Sequence, residues 1–79
     1  MEYDNRPVVG KKQILRLTKE NELKFIQIAT DAESDYVNSI VSVAKQHNVR
    51  TEIAGTMQQI ADTFGIDVPC GAVGFLKDR

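Results

Sequence analysis

The sequence predicts an α/β domain, a three-layer α-β-α sandwich with a small mixed sheet and the element order α-β-α-β-α-β. Three stretches show helical spacing of apolar residues, and each is followed by a short run that is typical of a strand. Alternation of helices and strands favours a sheet with helices on both faces. The 79 residues leave room for one domain, which we expect at 7–79 after a flexible N-terminus at 1–6.

The first helix is predicted to begin near Gly10 and Lys11 and to end at 21–22. On a helical wheel, one side of this stretch holds Ile14, Leu15, Leu17 and Thr18. The opposite side is basic and holds, at i, i+4 and i+7, the residues Lys12, Arg16 and Lys19.

Two strands, at 24–29 and 49–54, are predicted on either side of the second helix. The first strand is mostly apolar, which indicates cover on both faces, and its candidates for burial are Phe25, Ile26 and Ile28. The helix should have Asp31 or Ser34 as its N-cap and should end around Asn48. Its apolar stripe is Val37, Ile40, Val41 and Ala44. A strand-helix-strand unit of this kind favours a parallel crossover.

Clear signals mark both ends of the third helix. Thr56 with Gln59 three residues later forms a capping box, and Gly65 is suited to end the helix. Between these signals lies the apolar stripe Met57, Ile60, Ala61 and Phe64. The run 66–71 is predicted to be a loop, unusually apolar for one, and 72–76 is the final strand.

Composition and charge limit the classes of function. The net charge of −1 gives little general attraction to nucleic acid, but five basic residues and no acidic residue lie between Arg6 and Lys19. No apolar stretch approaches the ~20 residues needed to span a bilayer, and the N-terminus lacks the apolar region of a signal peptide. A single cysteine cannot form an internal disulfide. We therefore expect a cytoplasmic protein.

Patterns of catalytic or metal-binding residues are missing from the sequence. It has no glycine-rich phosphate loop, and His47 and Cys70 are the only histidine and cysteine. We expect His47 at the end of the second helix and Cys70 as a small apolar residue in the packing. Three carboxylates near the start of the second helix could be imagined as a metal cluster, but acids are typical of a helix start: Asp31, Glu33 and Asp35. The sequence therefore predicts no enzyme, no cofactor and no metal site.

Two segments are candidates for binding, and the first is the start of the first helix. Free backbone N–H groups there attract phosphate, whereas lysines oppose the helix dipole and so suggest a role beyond stability. Gly10 would let a ligand backbone come close, Gln13 could read a base edge, and Arg16 could hold a phosphate. The alternative is a solvated, charged helix face.

The second candidate segment is the loop 65–72. Ile66 and Val68, if exposed, would form an apolar shelf for unstacked bases, and Pro69 would stiffen the loop. The alternative is that Ile66 and Val68 fold back to cover the edge of the sheet.

Both segments carry a resemblance to a known family. Val9-Gly10-Lys11-Lys12-Gln13 with Arg16, and the run from Phe64 to Val73 (sequence FGIDVPCGAV), resemble the kink-turn-binding ribosomal protein family. This is the family of archaeal large-subunit ribosomal protein seven-Ae and its short bacterial relatives. The resemblance extends from about Pro7 to Leu76, and the family has the α-β-α sandwich expected above.

The resemblance implies recognition of a helix-bulge-helix RNA with sheared G·A pairs and a sharp backbone bend. It implies that the start of the first helix enters the major groove, where Lys12 and Gln13 contact guanines. The positions nearest to the RNA backbone and phosphates would be Gly10, Lys11 and Arg16. The positions against the flipped-out bulge nucleotides would be Ile66, Asp67 and Val68.

The expected partner is thus a structured RNA, ribosomal RNA or leader RNA, bound by a monomer. The alternative is a protein-protein interaction module of the same fold without RNA binding. Gly71 and Gly74 stand where the family commonly has alanine, and we expect these glycines to loosen the last strand slightly.

Overall fold

The computed structural model describes residues 7–77, so the N-terminus expected to be flexible at 1–6 lies outside the described residues, as do 78–79. Seven elements follow one another along the described chain: β1 (Val8–Val9), α1 (Lys11–Lys19), β2 (Leu23–Ala29), α2 (Ser34–Gln46), β3 (Arg50–Gly55), α3 (Met57–Phe64) and β4 (Ala72–Leu76).

The strands form one mixed sheet in the order β1-β4-β2-β3. β2 and β3 are parallel, as predicted, whereas β4 is antiparallel to both β1 and β2. The sequence analysis missed β1, so the described chain opens on a strand rather than on α1. The strand has only two residues, too few to show alternation, and it exists through its pairing with β4, where Val8 lies opposite Gly74 and Val9 opposite Val73.

Two core clusters lie on opposite faces of the sheet. Ile14 of α1 and Ile40 of α2 pack with Ile26 of β2 on one face, and Ile60 and Ala61 of α3 pack with residues of β2 and β4 on the other. The neighbours Ala72 and Val73 belong to different clusters because successive strand residues point to opposite faces. The predicted three-layer sandwich is therefore confirmed.

All three helices end with the same hydrogen-bond pattern. At the end of α1, the Glu22 N–H donates to the Leu17 carbonyl and the Asn21 N–H to the Thr18 carbonyl. Equivalent pairs of bonds end α2 and α3. The residue in left-handed conformation at each stop is Asn21 (φ 59°), Asn48 (φ 58°) or Gly65 (φ 66°). The predicted end of α3 at Gly65 is confirmed.

The helix starts agree with the sequence at α3 but not at α2. Thr56 and Gln59 form the predicted capping box. The residue before α2 is Glu33, which makes no side-chain capping bond, so the prediction of Asp31 or Ser34 as cap was wrong. Asp31 instead accepts a hydrogen bond from the first N–H of α3, since its Oδ1 lies 2.8 Å from the Met57 nitrogen. The reason is topological. Because β2 and β3 are parallel, their carboxyl ends lie side by side at the same end of the sheet, and the loop after β2 therefore meets the start of α3.

Two glycines make room for large neighbours. A Cβ on Gly71 would lie 2.9 Å from Cε1 of Tyr36, and one on Gly74 would lie 2.9 Å from Cδ1 of Leu23. These distances are too short for ordinary carbon contacts. The glycines in the last segment therefore permit close packing against Tyr36 and Leu23, rather than only loosening the strand.

Gly74→Ala should lower the free energy of unfolding by about 1–3 kcal/mol, because the added methyl overpacks a buried site. In a Leu23→Val background the clashing Cδ atoms are absent, so the additional cost of Gly74→Ala should be smaller. Urea unfolding of the four proteins in this cycle measures both costs. Equal costs in the two backgrounds would contradict the packing explanation.

Candidate functional site

The start of α1 is open to solvent and has no side-chain cap within residues 7–77. Gly10 precedes the helix with φ 96° and ψ 131°, a backbone conformation that favours glycine. Its carbonyl accepts the first helical bond, from Ile14 at 3.0 Å, and a Cβ built on Gly10 would meet nothing within 4 Å. The first turn contains no acidic residue. The amino end of α1 therefore presents its backbone N–H groups to a ligand that could come close.

The two lysines after Gly10 lie in different surroundings. Lys11 is half-buried, and its Nζ lies 5.9 Å from the centre of the Tyr36 ring, within the range of a cation–π contact. Lys12 is exposed, as the amphipathic pattern predicted, and Gln13 is exposed as well. Lys11 thus supplies a positive charge fixed against α2, whereas Lys12 and Gln13 can move to fit a partner.

Arg16 is exposed and forms an ion pair with Glu20, at 3.5 Å between Nη1 and Oε2. About half of each side chain is exposed, 54% for Arg16 and 52% for Glu20, so the pair is weak. The sequence analysis missed this contact, although the spacing of four residues on a helix is its ordinary signal. A phosphate at Arg16 would have to compete with Glu20.

The loop 66–71 does not expose both of its apolar residues. Val68 is 62% exposed, and Asp67 beside it is also exposed. Ile66 is half-buried and packs against the core cluster on the α3 side, so of the two alternatives given for it the structure favours folding back over exposure. The Ile66 N–H is tied to the Ala61 carbonyl at the end of α3, which turns the side chain towards the core. The apolar shelf therefore consists of Val68 and the adjoining Pro69.

The start of α1 and the loop 66–71 border one cavity of about 560 Å³. Gly10 and Val68 line it together, with Tyr36 of α2 and Met57 of α3. A second concavity of about 430 Å³ lies on the other side of β1 and contains Ile66 in its wall. The sequence-predicted residues thus divide: Gly10 and Val68 share the larger cavity, Ile66 faces the smaller one, and Lys12, Gln13 and Arg16 are exposed on α1.

The larger cavity, called the α1-loop cavity from here on, also has polar walls that sequence reasoning did not assign to the site. Asp31 and Glu33 lie on its α2 side. Burial raises the pKa of the Tyr36 phenol, and the nearby Cys70 raises it further. Burial also raises the pKa of the Cys70 thiol, which donates to the Val68 carbonyl at 3.4 Å. Tyr36 and Cys70 are therefore neutral near pH 7, and the carboxylates carry the charge of the cavity wall.

The described residues show neither a metal site nor a helix suited to a membrane. Within 7–77, no three His, Cys, Asp or Glu side chains are grouped so that they could hold a metal ion. None of the described helices combines the length and the apolar character that crossing a membrane requires. His47 follows the last turn of α2 and Cys70 is buried before β4, as the sequence predicted.

Comparison with known proteins identifies relatives with both sequence and fold in common. RNA-binding protein BH0128 of Halalkalibacterium halodurans is 30% identical over 70 residues, covering 89% of this chain and 85% of that protein. RNA-binding protein YbxF of Geobacillus stearothermophilus is 29% identical over 70 residues, with the same coverage. No family model matches the chain.

Solved structures share the fold at low sequence identity. The 15.5kD RNA binding protein of Giardia lamblia superposes with a TM-score of 0.83 at 16% identity, covering 92% of this chain and 62% of that one. A Bacillus halodurans protein of unknown function superposes with a TM-score of 0.84 at 11% identity, covering 91% and 72%.

These findings define the class of protein first: a small α/β domain with the fold of an RNA-binding protein and with RNA-binding proteins as its named homologues. More particularly, the chain belongs to the family of small bacterial RNA-binding proteins that includes BH0128 and YbxF. The names of these relatives describe binding and not catalysis, which agrees with the prediction of a protein that is not an enzyme.

Asp31→Ala should lower the free energy of unfolding by about 0.5–2 kcal/mol, because the first N–H of α3 loses its acceptor. Asp31→Asn is the matched control, since its amide oxygen can still accept from Met57, and it should cost less. Urea unfolding measures both. An alanine variant as stable as the native protein would show that the contact between the β2–α2 loop and α3 contributes nothing.

Proposed function

We propose that this chain binds kink-turn RNA, a helix-bulge-helix with sheared G·A pairs, through the start of α1 and the loop 66–71. The observation that carries the proposal is that the uncapped start of α1 and the exposed Val68 border the same cavity. Named RNA-binding relatives support an RNA partner. The natural target under this proposal is ribosomal RNA or a structured leader RNA, in a ribosome-associated role.

Charge decides on which side of the α1-loop cavity the RNA backbone runs. Lys11 and Lys12 lie at the α1 side, together with the helix N–H groups, and all of them attract phosphate. Asp31 and Glu33 lie at the α2 side and repel it. The phosphates therefore follow α1, and Gly10 allows the closest approach because a side chain there is absent.

The cavity itself suits a base rather than a phosphate. Its volume of about 560 Å³ lies within the ordinary range for small-molecule sites. Val68 and Met57 supply apolar walls, on which an unstacked base can lose water favourably. The Glu33 carboxylate can only accept hydrogen bonds, so it favours a base edge that carries N–H donors. A flipped-out bulge nucleotide offers both an unstacked base face and a base edge with N–H donors.

Sequence reading within the groove falls to Lys12 and Gln13. Both side chains are exposed on the first turn of α1, beyond the cavity mouth. Lysine can donate to the O6 and N7 acceptors of guanine, and the glutamine amide can both donate and accept. Lys11, held over the Tyr36 ring, is better placed to lie near the RNA backbone than to read a base. Binding would shift the RNA population from open to bent forms. The size of the shift would be set by the difference between the protein's affinity for the bent RNA and its affinity for the open RNA.

The proposal is tested by gel-shift titration with a standard kink-turn and with a matched RNA that lacks the G·A pairs. We expect clear preference for the intact kink-turn. Equal affinity for both RNAs would contradict specific recognition and would leave only attraction between charges. Failure to bind either RNA at low salt would favour the alternative, a protein-protein interaction module of the same fold.

Lys12→Ala and Gln13→Ala should each reduce the preference for the intact kink-turn by about 1–3 kcal/mol, if each side chain makes a good contact with a base edge. Lys19→Ala is the matched control, because Lys19 is exposed on the same helix but at its far end. That variant should weaken both RNAs equally and slightly. If both variants keep the full preference for the intact kink-turn, the side chains of Lys12 and Gln13 do not take part in base recognition.

Arg16→Ala should weaken binding to both RNAs about equally and reduce the salt slope by about one, as loss of one phosphate contact does. Glu20→Gln should do the reverse, because it releases Arg16 from the ion pair. The gain from Glu20→Gln should shrink in the Arg16→Ala background. Titrations at several salt concentrations measure all four proteins, and an equal gain in both backgrounds would show that Glu20 acts only through general charge.

A further inference from the structure

The outer edge of β3 carries a surface that the RNA-binding proposal does not use. β3 is the last strand in the sheet order, and within residues 7–77 no strand pairs with its outer side. Its backbone therefore presents N–H and C=O groups that can pair with another strand. The start of α1, where the RNA backbone is proposed to run, lies beside β1 at the opposite edge of the same sheet, and the α1-loop cavity extends from there to Met57 after the end of β3.

Neither helix layer covers this edge. Ile53 points to the α2 face, since it lies opposite Ile28 in the register, yet it is 65% exposed. Arg50 and Glu52 point to the other face, where α3 packs, and their side chains are 71% and 43% exposed. The exposed side chains at these three positions leave the outer side of β3 accessible to an incoming strand.

The side chains along this edge are self-complementary about Thr51. One residue away on either side stand the opposite charges Arg50 and Glu52. In an antiparallel pair with Thr51 opposite Thr51, each Arg50 faces a Glu52, so two pairs of opposite charge form. Opposite charges in facing positions stabilise antiparallel strands.

A single sign of charge on an edge strand normally prevents such pairing. Here the two signs cancel within three residues, and the intrachain contact between Arg50 and Glu52 is long, 3.9 Å. Exchanging that contact for two facing pairs across a two-fold axis costs little. The pattern fits a second copy of this strand better than an unrelated one, because a symmetric pair must match its own sequence in reverse.

We infer that the protein forms a weak homodimer by antiparallel pairing of the β3 edges, which joins two sheets into one of eight strands. The contact is small, at the low end of specific interfaces, so the dissociation constant is expected on the order of 100 μM. The sequence led us to expect a monomer, whereas the exposed Ile53 gives the β3 edge an apolar residue that a second copy can cover.

Charge exchange tests this inference on the full chain, without RNA, by sedimentation equilibrium over a range of protein concentrations. The wild type should approach the mass of two copies as concentration rises. Arg50→Glu and Glu52→Arg should each weaken self-association by about tenfold or more, because each places two like-charged pairs in the interface. The double variant Arg50→Glu/Glu52→Arg should restore it.

An equimolar mixture of the two single variants gives the sharpest result. One copy then has acids at both positions and the other has arginines, so the mixture should associate about as well as the wild type. Lys45→Glu is the matched control: it makes the same charge change at an exposed position of α2 and should leave association unchanged.

A wild type that stays monomeric up to about 1 mM would overturn the inference, because pairing weaker than this is not a specific interface. So would an Arg50→Glu variant that associates as well as the wild type, or a mixture that does not recover. Should a charge variant fail to fold, Ile53→Lys replaces it. That position is exposed, and the change removes apolar surface from the interface and adds one positive charge per copy, so it should weaken association severalfold.

Discussion

The antiparallel pairing of β1 with β4 sets the geometry on which the candidate site depends. It involves only Val8 opposite Gly74 and Val9 opposite Val73. Adjacent strands lie about 4.8 Å apart, and α1 begins two residues after β1, while the loop 66–71 ends directly before β4. The start of α1 and this loop are therefore neighbours by necessity. Packing of Val8 and Ile14 into the core cluster of α1 and α2 supports so short a strand.

The same arrangement makes the site electrostatically two-sided. Lysines at the start of α1 oppose its dipole, a cost of some tenths of a kcal/mol each that nothing in the packing of α1 requires. The cost at Lys11 is offset in part by the Tyr36 ring. Under the proposed function, the acids across the cavity would repel phosphate and accept hydrogen bonds from base donors. A net charge of −1 is thus compatible with binding RNA. The charge is positive at the α1 side of the cavity and negative at the α2 side, and a phosphate at the α1 side responds to this local charge rather than to the net charge of the chain.

Much of this fold follows from the sequence because local signals and tertiary structure agree. The stripe of α2, the capping box at Thr56 and the stop at Gly65 are local patterns with single structural solutions. What the sequence could not show depends on neighbours distant in the chain. β1 exists only through β4, and Asp31 caps α3 because parallel strands bring two loops together.

The candidate site divides in the same way. The exposure of Lys12 and Arg16 could be predicted from helical spacing. For Ile66 the sequence offered both exposure and burial and could not decide between them, since the outcome depends on a backbone bond to Ala61 at the end of α3. The contribution of Tyr36 to the cavity could not be predicted either. Within the sequence of α2 it is an ordinary aromatic residue, and its place in the cavity depends on the packing of Gly71, distant in the chain, against its ring.

The start of α1 and the outer side of β3 lie at opposite edges of one sheet, and this separation has a physical consequence. In the order β1-β4-β2-β3, pairing of two β3 edges leaves each β1 at an outer end of the eight-stranded sheet. Seven strand spacings of about 4.8 Å then separate the two β1 strands by about 34 Å. An RNA with two kink-turns at a matching distance would hold two copies at high effective concentration, so weak pairing of β3 would be enough to favour the dimer on that RNA over the free protein.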